Sequence, residues 1–289
     1  MTDGSLESRI CNTIWLKGIK LPVSGASVEY ISFVLEYSYK EIIMREWITG
    51  RNPIFELLSA RRRQSFRLWV NTGSTEKGRL AEIITLARAQ KLLIESVSRL
   101  KLDPLGENHQ GVALETSGYP YVNWQDILIR AEQLQEPLFV LALDLIQNPQ
   151  NLGNLMRTAE AVGVHGILLP LARSATITPA VVTSSAGASE HLLVAQTNLA
   201  QTFNELKQTG VWVIGLEHTA QAQPPEKVDL KGPLILVVGS EGEGLRQLVR
   251  KTCDLLMDLP LSGKVTSLNA AIAGSIALYM AYQARKSIS

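Results

Sequence analysis

The feature that most limits how this chain can fold is a series of short, almost wholly apolar segments in its carboxy-terminal half. PLFVLALDL, HGILLP, LLVAQ, VWVIGLE, LILVVG and DLLMDLP follow one another between residues 137 and 260. Stretches with helical spacing separate most of them: NLGNLMRTAEAVG, PAVVTSSAGASEH, LAQTFNELKQTG and GLRQLVRKTC. A strand that is apolar on nearly every residue needs cover on both faces, and helical crossovers join parallel strands. The alternation therefore predicts an α/β fold, a mostly parallel sheet with helices on both sides. A last helix, SLNAAIAGSIALYMAYQARK, is apolar nearly all round, with Leu268, Ala271, Ile272, Ile276, Leu278, Tyr279 and Tyr282. Such a helix is buried in the core or in a dimer interface.

The 289 residues suggest two domains. Residues 45–116 alternate helix and strand on a smaller scale. ITGRNPIFELLSARR has Pro53 near a helix start, and GRLAEIITLARAQK places Leu80, Ile83, Ile84 and Ala87 on one helical face. RLWVN, LLIESV and HQGVALE read as strands, with SRLKLDPLG a short helix or loop. The result is a small α/β domain over 45–116, a connection over 117–136 ending in a helix, and the parallel-sheet domain over 137–289. Residues 1–44 form an extension of unassigned structure, in which YISFVLEYSY reads as a strand or short helix.

Charge separates these parts. Residues 45–101 hold 12 Lys and Arg against 5 Asp and Glu, whereas 102–289 hold 12 against 17. A basic module joined to a mildly acidic one fits a polyanion-gripping part beside a catalytic part. Arg51 and the run Arg61, Arg62, Arg63 with Arg67 are the candidate RNA contacts; a solvated helix face is the alternative. Two distant cysteines, Cys11 and Cys253, without a histidine pattern, imply neither a disulfide framework nor a metal site. No apolar run has the roughly 18–20 residues of a membrane span, and MTDGSLESRI lacks the order of a signal peptide. A protein of the cytoplasm, or of an equivalent organelle compartment, is expected.

Ligands in such sheets collect at the carboxyl ends of the strands, and three loops there carry unusual residues. NPQNLGNLMRTA offers Asn151, Gly153 and Arg157. Alone, Asn151 reads as a helix N-cap, and Arg157 as a salt bridge to Glu160 or Asp144. VGSEGEGL, with three glycines and two glutamates, suits a neutral or cationic ligand better than a phosphate; a glycine-rich turn is the alternative. LPLSGKVTSLN looks like half of a P-loop, but Asp258 and Val265 stand where that motif needs a glycine and a hydroxyl. Ser267 reads as the cap of the last helix.

Together, in this order, N-x-G-x-x-x-R-x-A (Asn151 to Ala159), G-x-E-G-x-G (Gly239 to Gly244) and L-P-x-x-G…S-L-N (Leu259 to Asn269) resemble the three motifs of the SpoU (TrmH) branch of the SPOUT methyltransferases. Residues 47–116, with GRNPIFELL and HQGVAL, resemble the ribosomal-protein-like substrate-binding domain of the RlmB-like rRNA subgroup. The resemblance implies a trefoil-knotted homodimer that transfers a methyl group from S-adenosylmethionine to a ribose 2′-hydroxyl of structured RNA. It implies ribosomal RNA as the substrate, with a guanosine of the large subunit as the target and tRNA as the alternative. Gly239, Leu259 and Leu268 would line the cofactor pocket. Arg157 would be the catalytic arginine, with Asn151, Ser267 and Asn269 fixing the ribose and the arginine, and Glu241 holding Arg157 or a backbone amide. Holding an arginine neutral at pH 7 would cost roughly 7–9 kcal/mol, so a charged guanidinium that grips phosphate and stabilises a developing alkoxide is the easier role. Relatives commonly carry a hydroxyl where this chain has Ala271.

Overall fold

The computed structural model describes residues 13–16, 19–22, 45–172, 174–240, 242–264 and 267–286. Met1–Arg45 is one compact unit and Glu46–Ser289 the other. In the first, β1 (Thr13–Leu16) and β2 (Ile19–Pro22) pair antiparallel, Thr13 opposite Pro22 and Leu16 opposite Ile19. The readings of YISFVLEYSY and Cys11 lie outside the described residues.

The second unit contains two sheets. The smaller has β3 (Arg45–Thr49), β4 (Ser65–Asn71), β5 (Leu93–Val97) and β6 (Val112–Ser117) in the order β3-β6-β4-β5. Helices α1 (Arg51–Ala60) and α2 (Arg79–Ala89) bury Ile54, Leu57 and Leu58 with Leu80, Ile83, Ile84 and Ala87 in one core. The segment starting at Ile48 is not all helix. Arg45–Thr49 is a strand, and Gly50, at φ 93°, turns the chain sharply into α1. A residue with a Cβ would be strained there.

The larger sheet has β7 (Phe139–Leu143), β8 (Gly166–Pro170), β9 (Leu193–Thr197), β10 (Trp212–Leu216), β11 (Leu234–Val238) and β12 (Leu255–Met257), in the order β12-β10-β11-β7-β8-β9. Every neighbouring pair is parallel. Strands β7, β8 and β11 are buried along their whole length, as their unbroken apolar sequences require. The chain leaves β7 toward one edge and β11 toward the other. This divergence opens a crevice at their carboxyl ends.

Helices α3 (Trp124–Leu134), α4 (Pro149–Ala161), α5 (Pro179–Ser184), α6 (Leu199–Lys207), α7 (Gln247–Thr252) and α8 (Ala270–Lys286) follow, after a single helical turn at Arg99–Leu102. The helix expected over 179–191 is interrupted. Ala186 and Gly187 have φ of 53° and 90°, and a single 3-10 turn, Ala188–His191, follows. The cause is tertiary: a Cβ on Gly187 would lie 2.7 Å from Cβ of Glu56, where this segment passes against α1. Helix α8 crosses α4 closely at Gly274, whose missing Cβ would be 2.6 Å from Cδ2 of Leu155. Its other side is an open apolar stripe, with Ile272, Ile276 and Tyr279 exposed by 54%, 41% and 53%.

Candidate functional site

The loops after β10, β11 and β12 enclose a cavity of about 540 Å³ with the first turn of α8. Its wall is apolar at Leu216, Val238, Leu259 and Leu268, and acidic at Glu217, Glu243 and Asp258. Gly239, Leu259 and Leu268, three residues singled out in the sequence, all line it, together with Ser267 and Asn269. Gly239 is required by packing. A Cβ there would lie 2.3 Å from the carbonyl carbon of Gly244, in a loop tied by Ser240 N–H to Gly244 O (3.1 Å) and Gly244 N–H to Ser240 O (3.2 Å). The backbone can therefore fold tightly against the cavity. Among the described residues the wall holds carboxylates and no basic side chain other than His218, whose Nδ1 lies 2.8 Å from Asp258 Oδ2. Such a cavity favours a ligand with positive charge and apolar surface.

Asn269 carries two functions. Its Oδ1 accepts from the N–H groups of Ala271 (2.9 Å) and Ile272 (3.2 Å), so it caps α8, the place the sequence suggested for Ser267. Its Nδ2 donates to Oδ1 of Asn151 at 3.3 Å. Asn151 is not a cap. Asn148 caps α4 by accepting from Gln150 N–H at 2.8 Å, and Asn151 sits buried one turn in. The first and third motifs thus touch through side chains 118 residues apart.

Arg157 lies two turns further along α4, on the surface, and among the described residues pairs with neither Glu160 nor Asp144. Asp144 is instead wholly buried, accepting from Arg246 N–H (2.8 Å) and Nε (2.7 Å). This pair pins the end of the glycine-rich loop to the end of β7. Arg157 lines a second cavity of about 570 Å³ with Asn154, Thr158, Ile272, Ser275 and Tyr279. Within one chain the first turns of α8 separate the two cavities. Glu241 lies outside the described residues.

The basic run divides. Arg61 is exposed, at φ 53° past the end of α1, and Arg51 is half-buried, its Nε donating to Gln110 O at 3.3 Å. Arg62 and Arg63 are a correction to the reading as RNA contacts. The Arg63 side chain is 0% exposed. Its Nε and Nη2 donate to Glu190 Oε2 and Oε1, both at 2.9 Å, and Nη1 reaches Glu46 Oε2 at 3.0 Å and Ser117 O at 3.3 Å. Arg62 donates to Pro120 O (3.2 Å), Tyr119 Oη (3.2 Å), Glu190 O (3.3 Å) and Leu192 O. Both guanidinium groups hold the smaller sheet against the 188–192 segment of the larger one, and no N–H edge of Arg63 is turned to a phosphate. Burial pushes the Tyr119 hydroxyl up to about 12, and it donates to Leu192 O at 2.6 Å. Burial likewise raises Cys253 to about 12, which keeps that thiol protonated.

Residues that sequence reasoning missed are Glu217, His218 and Asp258 in the cavity wall, Asp144 at the end of β7, and Glu190 in the interface with the smaller sheet. Their only sequence signal is a charged residue at or near the end of an apolar strand. Among the described residues, no group of three or more His, Cys, Asp and Glu is placed to hold a metal ion, and no helix is long and apolar enough to cross a membrane.

The larger sheet thus carries a glycine-walled cavity at the carboxyl ends of β10, β11 and β12 and is joined to a small α/β module, and comparison with known proteins gives the class, an RNA methylase. Residues 138–279 match the SpoU rRNA Methylase family, and residues 47–122 match the family of RNA 2′-O ribose methyltransferase substrate binding. The chain belongs to the SpoU (TrmH) family and is an RNA ribose 2′-O-methyltransferase whose cofactor is S-adenosylmethionine. It is 41% identical over 245 residues to YacO of Bacillus subtilis, a TrmH family protein, covering 84% of this chain and 97% of the relative. It is 36% identical over 245 residues to the 23S rRNA (guanosine-2′-O-)-methyltransferase RlmB of Pseudomonas putida, covering 83% and 97%. The SpoU methyltransferase AviRb of Streptomyces viridochromogenes, solved with AdoMet, shares the fold at TM-score 0.71 and 21% identity, over 87% of this chain and 94% of that one. The acidic, leucine-walled cavity suits a sulfonium cation with an adenine.

Proposed function

We propose that this chain methylates the 2′-hydroxyl of a guanosine in large-subunit ribosomal RNA, acting as a homodimer. The observation that carries the substrate is the 36% identity to a guanosine-specific 23S rRNA enzyme across both modules. The basic module, with Arg51 and Arg61 on its surface, supplies the electrostatic grip on RNA. Support for the dimer is the apolar stripe of Ile272, Ile276 and Tyr279, which a second copy would cover while bringing its own α8 beside Arg157.

Bound S-adenosylmethionine supplies a methyl group on a sulfonium, already a good leaving group. The chain's residues must then position the accepting oxygen and ease the loss of its proton. Gly239, Leu259 and Leu268 would hold the cofactor. Asn151 and Asn269, joined at 3.3 Å, would orient the ribose hydroxyl. The guanidinium of Arg157 would grip a phosphate and stabilise the alkoxide as it forms. Ser267, exposed at the cavity mouth, is a further hydrogen-bonding group for the ribose. Glu241 is assigned to holding Arg157 or a backbone amide.

Two measurements test this reading. Mapping 2′-O-methyl groups on ribosomal RNA with and without the protein should reveal one missing guanosine methyl; a methyl missing from tRNA alone would overturn the rRNA assignment. Arg157→Ala should abolish methyl transfer with cofactor affinity within about twofold of wild type, and an active variant refutes the role of Arg157.

A further inference from the structure

The wall of the cofactor cavity contains a carboxylate with no part in the methyl transfer proposed for the chain. Glu217 follows the last residue of β10 and lines the cavity. Its backbone N–H is fixed to Met257 O at 3.0 Å. Arg250 Nε lies 3.0 Å from Glu217 Oε2, close enough for an ion pair but off the direction of a hydrogen bond. That oxygen is buried, with no hydrogen-bond partner among the described residues. The only other such side-chain atom among them is Thr219 Oγ1, two residues along the same loop. Buried oxygens without donors are costly and rare, and the ion pair with Arg250 offsets that cost at Oε2. The second carboxylate oxygen, Oε1, faces Gly244, where a Cβ would come within 2.8 Å of it. Gly244 thus leaves that oxygen room at the cavity wall.

Resting on the assignment of this cavity to S-adenosylmethionine, we propose that Glu217 receives the two ribose hydroxyls of the cofactor's adenosine. Its place in the sheet argues for that end of the molecule. The reacting end is marked by Asn151 and Asn269, beside the column of β7. Strand β10 stands two positions from β7, with β11 between them, a separation of roughly 10 Å at strand spacing. The cavity wall next to Glu217 is that of β12, with Leu259 and Leu261. An adenine held by leucines presents one donor group, its 6-amino, flanked by ring nitrogens that accept hydrogen bonds and repel a carboxylate. A vicinal diol presents two adjacent donors, and Oε1, the oxygen that Gly244 leaves room to reach, can accept from them. An acidic side chain plays the same part toward ribose in dinucleotide-binding folds.

Calorimetric titration with S-adenosylhomocysteine, 5′-methylthioadenosine and the 2′-deoxy and 3′-deoxy forms of the latter tests this. Wild type should bind methylthioadenosine about 10- to 100-fold more tightly than either deoxy form. Glu217→Ala and Glu217→Gln should weaken methylthioadenosine by a similar factor and no longer distinguish it from the deoxy forms. The role is overturned if wild type binds the deoxy forms equally well, a comparison that needs no variant to fold. It is also overturned if the substitutions weaken S-adenosylhomocysteine but leave methylthioadenosine untouched, because the carboxylate would then face the amino-acid end. A wild-type chain that binds none of these ligands overturns the cofactor reading itself.

Discussion

Arg63→Ala separates two meanings of a basic run. If Arg63 grips phosphate, its removal weakens RNA binding and lowers the salt slope by about 0.9 for each phosphate no longer neutralised. If it is the clamp the structure shows, its removal leaves Glu190 in a dry interface without its ion-pair partner. Both side chains are enclosed, 0% and 1% exposed, and two bonds of 2.9 Å join them. Removing one partner of such a pair costs about 3–5 kcal/mol. At roughly 2–4 °C per kcal/mol for a unit of this size, the melting temperature should fall by about 6–20 °C. Burial already pushes the Glu190 carboxyl above 4.5, opposed by Arg63 and Arg62. Without Arg63 the opposition weakens and the carboxyl rises further. A folded-state acid raised above its unfolded value loses stability as pH increases, so the deficit should be larger at pH 8 than at pH 5. Urea denaturation at both pH values, with RNA binding over a salt series, reads all three quantities. Arg63→Met with Glu190→Leu should recover most of the stability, since an apolar pair replaces the ionic one. A single variant destabilised by less than about 1 kcal/mol that binds RNA with a shallower salt slope refutes the reasoning.

Two further outcomes follow from packing and protonation. Phe139 N–H donates to Nδ1 of His165 at 2.9 Å, while Nε2 lies 3.1 Å from Glu136, so the folded state needs the neutral ring; burial lowers its pKa below 6.5. Stability should therefore fall as pH drops below about 6.5, and His165→Gln should flatten that part of the melting-temperature profile. Gly239→Ala places a methyl group 2.3 Å from the backbone of Gly244, so the loop must shift. Overpacking of this kind costs about 1–3 kcal/mol, so affinity for S-adenosylhomocysteine should drop about tenfold or more, measured by titration.

What the sequence discloses follows from how local the cause is. The six parallel strands are readable because an unbroken apolar run is itself the consequence of burial on both faces. Arg62 and Arg63 are not readable, because a clamp and a phosphate grip have the same composition. The deciding partner, Glu190, is 127 residues away. The break after α5 escapes for the same reason, being forced by contact with Glu56. Strand β3 is five residues long and runs into a helix through a single glycine, too short a signal for its period to show. Ser267 and Asn269 are both competent caps, and the contact with Asn151 belongs to the one that caps.

The last of these explains why the motifs are ordered as they are. The cavity proposed for the cofactor and the cavity holding Arg157 lie on either side of the first turns of α8. In the proposed reaction, Arg157 in one cavity acts on a ligand held in the other, while the accepting oxygen stands in line with the leaving sulfur. Asn269 sits at the divide. Its carbonyl oxygen fixes the start of α8, and its amide nitrogen fixes Asn151, which shares a helix with Arg157. One side chain thereby sets the register between the wall proposed to hold the cofactor and the helix that carries the guanidinium. A leucine before it, Leu268, faces the cofactor side of the same turn. The S-L-N sequence is short because a single helix cap has to face both cavities at once.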